Sequence, residues 1–171
     1  MKKRLANFWY YHKIHTVILL AVLAAGIYLF LTHRSTVKSD YDIAIVSPRA
    51  CTEEQTAAIK SIIEQSGTDQ NGDGRVTADI HIYRFAIGEA GQDQQAVAGL
   101  DADLVGKMSG IFLVDSPVKF EAATNGLGTA ADAIPVSDIP ALSGCGIDDL
   151  WLLIRTEADV KYSSILSALI R

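Results

Sequence analysis

The sequence has no Walker A run, no Gly-x-Ser-x-Gly elbow and no His-Glu-x-x-His pair. Three common routes to an enzymatic assignment therefore find no support in it. Prolines number four and glycines 13 in 171 residues, and charged residues make up 20% against 49% apolar. That balance excludes collagen-like and disordered chains. Cysteine occurs twice, which allows one disulfide at most, and no internal repeat is present. One further shortage is local. Residues 1–39 contain no acid and carry Lys2, Lys3, Arg4, Lys13, Arg34 and Lys38, a net +6. Every Asp and Glu falls in the remaining 132 residues, whose net charge is −11. A body of that sign repels phosphate, which argues against a nucleic-acid partner.

What is present begins with an apolar run. From Val17 to Leu31 every residue is apolar or Gly, and Ile14, His15, Thr16 and Thr32 extend the stretch to 19. A bilayer core takes roughly 17–25 helical residues. Phe8, Trp9, Tyr10 and Tyr11 precede the run, where aromatic rings favour the headgroup layer. No small-x-small cleavage site follows it. Leu23-Ala24-Ala25-Gly26 leads into Ile27, where a lipobox would have Cys. The pattern predicts an uncleaved signal anchor over 14–33, a cytoplasmic basic segment over 1–13 and a linker over 34–40. Four basic residues before the span and two after it place the N-terminus inside. The expected location is the cell membrane, single-pass, with the domain extracytoplasmic. His12 and His15 share a helix face but have no third ligand nearby, so they read as interfacial polar residues.

Residues 41–171 read as an α/β domain. Tyr41–Ser47 has strand character and ends at Pro48. Thr52-Glu53-Glu54-Gln55 is a capping box, followed by Ile59, Ile62 and Ile63 at helical spacing and a stop at Gly67. Val76–Ile87 contains Ala78, Ile80 and Ile82 alternating with Asp79, His81 and Tyr83, a half-buried strand. Asp93 caps a second helix with Val97, Leu100 and Leu104 on one face. Gly110–Asp115 is a short apolar run suited to a strand covered on both faces. Residues 122–146 are rich in Gly, Ala, Ser and Pro, and predict a long mobile or functional loop. Leu150–Ile154 reads as another strand. Tyr162, Ile165, Leu166, Leu169 and Ile170 complete an amphipathic helix. The order predicts a three-layer α/β domain with a mainly parallel sheet flanked by helices.

Over residues 41–121 this succession carries particular stretches: a strand opening on Val76-Thr77-Ala78-Asp79-Ile80, a helix ending in Leu100-Asp101-Ala102-Asp103-Leu104-Val105-Gly106-Lys107, then Ser109–Asp115. In these it resembles the N-terminal lobe of the extracellular solute-binding proteins that serve bacterial ABC importers. The resemblance implies an α/β lobe, a membrane-surface location and capture of a small solute. Family members close two lobes on their ligand and are commonly held by a lipidated Cys; this chain has length for one lobe and a helix in place of the lipid.

Several residues are candidates for chemistry. Asp69-x-Asn71-x-Asp73-Gly74 places oxygen ligands at positions 1, 3 and 5 of a calcium-type loop, with Arg75 at position 7. Position 12 is Ile80, so Asp79 at position 11 would have to substitute for the usual Glu. An Asx/Gly turn between helix and strand accounts for the same residues. Cys51 and Cys145 both fall in the external part, where a bridge, two buried thiols or a reactive thiol are open. Ligands in open α/β sheets bind outside the carboxyl ends of strands, which selects Ser47, Arg49 and Thr52 after the first strand, and Asp115 and Ser116 after the third. Arg49 beside a helix N-terminus suits an anion; pairing with Glu53 or Glu54, and Asp115 capping the next turn, are the plainer alternatives. Gly126-x-Gly128-x-x-Ala131 does not follow the first strand of a βαβ unit and reads as loop.

The functional expectation is a membrane-anchored, non-enzymatic binding domain for a small solute or a protein partner, with calcium as an optional structural ion. A cell-surface hydrolase or thiol enzyme is the first alternative, marked by Cys145, His81 and an acid coming together. A structural envelope or assembly component is the second, marked by a large apolar patch.

Overall fold

The computed structural model describes residues 17–28, 39–89, 91, 93–126, 130–155 and 160–170. Residues 1–38 and 39–171 are separate units. In the first, residues 17–28 are helical with exposed side chains. The two ends of the expected membrane span (14–16 and 29–33), the basic segment and His12 and His15 lie outside the described residues. Among the described residues no helix is long and apolar enough to cross a membrane.

The second unit is an α/β domain built on a five-stranded sheet. Its elements are β1 (Tyr41–Val46), α1 (Glu53–Ser66), β2 (Ala78–Tyr83), α2 (Gln94–Gly106), β3 (Ile111–Val114), α3 (Pro117–Thr124), β4 (Ile134–Pro135), β5 (Trp151–Ile154) and α4 (Val160–Leu169). Strand order is β2-β1-β3-β5-β4. β1 pairs parallel to β2 and β3, while β5 is antiparallel to both β3 and β4. The sheet is therefore mixed, which corrects the expectation of a mainly parallel one. β4 runs the same way as β3, one strand position away, and β5 turns back to fill the gap. Direction leaves no mark on a buried strand's hydropathy, so Leu150–Ile154 was recognisable as a strand and its sense was not.

Alternation along β1 sends Tyr41, Ile43 and Ile45 to one face and Ala44 and Val46 to the other. The first set packs with Ile59 and Ile63 of α1 and with Tyr162, Ile165 and Leu169 of α4. The second packs with Leu100 of α2 and Phe120 of α3. Three layers result, as expected. All four β3 side chains are buried, each contributing about 1.5–3 kcal/mol.

Local signals set the helix ends. Gln55 N–H donates to Thr52 Oγ1 at 3.2 Å and Thr52 N–H to Gln55 Oε1 at 3.0 Å, the reciprocal capping box. Asp93 Oδ1 accepts from Gln95 N–H at 2.9 Å. Gly110 makes room for a neighbour: a Cβ there would lie 2.1 Å from the Tyr162 ring, which stacks edge-on to Tyr41, so the ring or backbone would have to shift.

Two expectations need correction. β2 stops at Tyr83, and the chain turns through residues 84–89 where a strand to Ile87 was expected. Residues 122–146 are less loop-like than their composition. Their start completes α3, and β4 follows. Val136, Ile139 and Leu142 are buried in the α1–α4 face of the core together with Ile147 and Leu150. The 136–150 segment is a packed cover at the carboxyl edge of the sheet.

Candidate functional site

The carboxyl ends of β1, β2 and β3 lie side by side, because these strands are parallel neighbours. β2 reaches one flank of β1 through α1, and β3 reaches the other through α2, so the topological switch lies between β1 and β3. Ser47 follows β1, and Asp115 and Ser116 follow β3. The structure thus brings these three to one edge. Ser47 is buried, and its Oγ accepts from Arg49 N–H at 3.2 Å. Ser116 is the N-cap of α3 without a side-chain hydrogen bond, and Pro117 follows at N1. Asp115 does not spend its Oδ1 on capping. That atom is buried and has no hydrogen-bond partner. A buried carboxylate oxygen without a donor costs about 1–3 kcal/mol, so this position favours a ligand that brings an N–H or ammonium group.

Arg49 and Thr52 are committed elsewhere. Arg49 Nη1 donates to both carboxylate oxygens of Asp149 at 3.1 and 3.2 Å. Its Nη2 donates to the Gly146 carbonyl, as does Gln55 Nε2 at 2.9 Å. Arg49 therefore ties the 136–150 cover to the start of α1, and its partner is Asp149 instead of Glu53 or Glu54. The pair is about half exposed and contributes under ~1 kcal/mol by itself. Thr52 is the α1 cap.

Because β5 runs antiparallel, Cys145 and Cys51 lie at the same edge, each partly buried against the α1–α4 face of the core. Both are free thiols. Burial pushes the Cys51 thiol up, against the pull of the Arg49 guanidinium. Burial, reinforced by the Asp148 charge, raises Cys145. His81 points to the opposite face of the sheet, the side of Ala44 and Tyr83, so it cannot serve either thiol as a base.

Beside this edge, past β1 and β2, is a hollow of about 180 Å³ whose wall includes Pro48, Arg84, Phe85, Glu89 and Asp93. Drug-sized pockets run ~300–1,000 Å³, so this hollow holds a small group only. Lys119 of α3 reaches Glu89 at 3.9 Å.

The candidate calcium loop is closed by its own hydrogen bonds. Asp69 accepts from Gly72 N–H at 2.7 Å and Gly74 N–H at 2.8 Å. Asn71 Oδ1 accepts from Asp73 N–H, and Asp73 Oδ1 from Arg75 N–H. These are Asx turns, with Gly72 and Gly74 at positive φ. Buried Asp40, which sequence reasoning passed over, holds the loop from below. It accepts from Gln70, Asn71 and Thr77 N–H at 2.8, 3.0 and 2.8 Å. Burial opposes its charge, but these donors prevail and keep the Asp40 carboxyl below its usual range. Asp79 is grouped with Asp42 and His81 on the strands, leaving Asp69, Asn71 and Asp73 as the side-chain oxygens of the loop.

A second polar cluster braces α2. Asp103 is fully buried and accepts from Tyr83 Oη, Ser109 N–H and Ser109 Oγ at 2.9, 2.7 and 2.6 Å. Burial, then the bond to Asp103 and its charge, drive the Tyr83 hydroxyl pKa up strongly. Arg155 donates to the carbonyls of Ser109 and Leu104 and lies over the Phe112 ring.

No family model, curated protein or solved structure matches this chain.

Proposed function

We propose that residues 39–171 are the extracytoplasmic binding module of a protein anchored in the cell membrane by its N-terminal apolar segment. The module is non-enzymatic, is similar in plan to one lobe of a solute-binding protein, and takes a small donor-bearing solute or a partner's side chain at the carboxyl edge of the sheet. Asp115 carries this reading: its Oδ1 is buried and unpartnered at the switch point between β1 and β3, where such folds bind. An unpartnered carboxylate oxygen calls for a donor, which favours an amine or a peptide terminus. The thiol-enzyme alternative draws no support from the arrangement, because His81 and the cysteines occupy opposite faces. The exposed large apolar residues described in 39–171 are Ile82, Val105, Met108, Val118 and Ile170, spread over β2, α2 and its end, α3 and the end of α4.

A thermal-shift panel of amino acids, amines, peptides, sugars and calcium tests the reading on the full-length protein. A solute at 100 times its Kd stabilises by about 2.7 kcal/mol. Amine-bearing solutes should raise the transition in the native protein and fail to do so in Asp115→Ala. Equal shifts in both proteins, or none with any solute, would remove the carboxyl edge as the site.

A further inference from the structure

The amino-terminal edge of the sheet carries a different chemistry. β1 and β2 pair with Asp42 directly opposite Asp79 and Ala44 opposite His81. Residues two apart on a strand share a face, so Asp79 and His81 project together, and the register adds Asp42 beside them. One carboxylate oxygen from each Asp and one ring nitrogen from His81 lie within 4.8 Å of one another. Like charges directly opposite across a strand pair are destabilising, yet the fold places two carboxylates there. Charge alone would blunt an edge strand such as β2 against unwanted pairing. An imidazole on the same face adds a metal ligand that such blunting does not need. His81 is also the one histidine of residues 40–171.

We propose that Asp42, Asp79 and His81 form a binding site for a divalent transition metal of the zinc type. Zn²⁺ bonds carboxylate oxygen and imidazole nitrogen at about 2.0–2.2 Å, which sets ligand atoms about 3.4 Å apart around a tetrahedral ion. The trio's ligand atoms, within 4.8 Å of one another, would close toward that spacing around the ion. Half-buried Asp42 and His81 flank an exposed Asp79, so the ion can enter from solvent. Three protein ligands leave a fourth position for water or for a donor from a partner. Calcium, which takes six to eight oxygens, is a poor match for a site with an imidazole. The metal neutralises the facing carboxylates and fastens the edge strand β2 to β1, at the end of the sheet opposite Asp115.

The test is calorimetric titration of Zn²⁺, with the visible bands of Co²⁺ as a second readout, into chelator-treated full-length protein carrying His12→Ala, His15→Ala and His33→Ala. These substitutions remove the other imidazoles. One equivalent should bind. His81→Ala and, separately, Asp79→Asn in that background should each weaken binding at least tenfold, with melting curves in chelator showing that both variants remain folded. No binding to the starting protein, or binding unchanged in both variants, overturns the site. So does a response to Ca²⁺ alone, which would assign metal binding to the Asp69–Asp73 loop.

Discussion

Asp103 is fully buried, and its removal would strand the Ser109 N–H, the Ser109 hydroxyl and the Tyr83 hydroxyl away from water. Buried groups left unpaired cost about 1–3 kcal/mol each, offset in part by relaxation. Asp103→Ala should therefore lower unfolding free energy by about 3 kcal/mol in urea titration; a loss under about 1 kcal/mol would contradict the network. Asp40 makes a pH prediction. Its folded pKa is depressed below the ordinary 3.8, so its stabilising effect is complete above that value. The effect is lost as pH falls through the lower folded value. The amide resonances of Gln70, Asn71 and Thr77 should follow a transition centred below the ordinary carboxylate value of 3.8. Movement centred above pH 5 would exclude Asp40 as their anchor. The two thiols behave oppositely in sign: raised pKa values keep them protonated, so alkylation of the native protein at pH 8 should be slower than after unfolding, and two adducts should form in the end. Of these residues the cap at Thr52 was legible because it acts on neighbours three positions away. Asp40, Asp42 and Asp103 were not legible, because their partners lie 6 to 37 residues along the chain or depend on strand register.

At the scale of elements, the Gly110 position decides how α4 meets β3. The Tyr162 ring occupies the space of any Cβ at that point, so Gly110→Ala should destabilise by about 1–3 kcal/mol, as overpacking does. Gly106→Ala, whose Cβ meets only the flexible Met108 side chain at 3.3 Å, is the comparison. Equal melting temperatures for the two variants would contradict the packing described. The elements with strong periodicity (α1, α4, and the β2 alternation at residues 78–82) were readable. α3 was missed because Phe120 and Thr124 are its buried residues, too few for a stripe, although Ser116-Pro117 is a helix-start signal. β4 has two residues and no readable period. Val136, Ile139 and Leu142, spaced by three, were the available sign that the 136–150 cover packs inward.

For the whole molecule, four basic residues before the apolar segment against two after it predict the topology. Protease added to intact cells should remove the acidic domain and leave an N-terminal tag protected; a protected domain would reverse the orientation. The α/β layering was legible from element order, whereas β5 direction depended on the 136–150 connection, which leaves β4 and re-enters the sheet at the same edge. The central claim is that the carboxyl edge of the sheet, at Asp115, is where this domain binds. The most direct measurement is a set of amide ¹H–¹⁵N spectra of the domain with and without amine-bearing solutes. The account predicts shifts concentrated at Ser47, Asp115 and Ser116, with Asp42, Asp79 and His81 unmoved. Shifts centred on the opposite edge, or none at saturating solute, would contradict it.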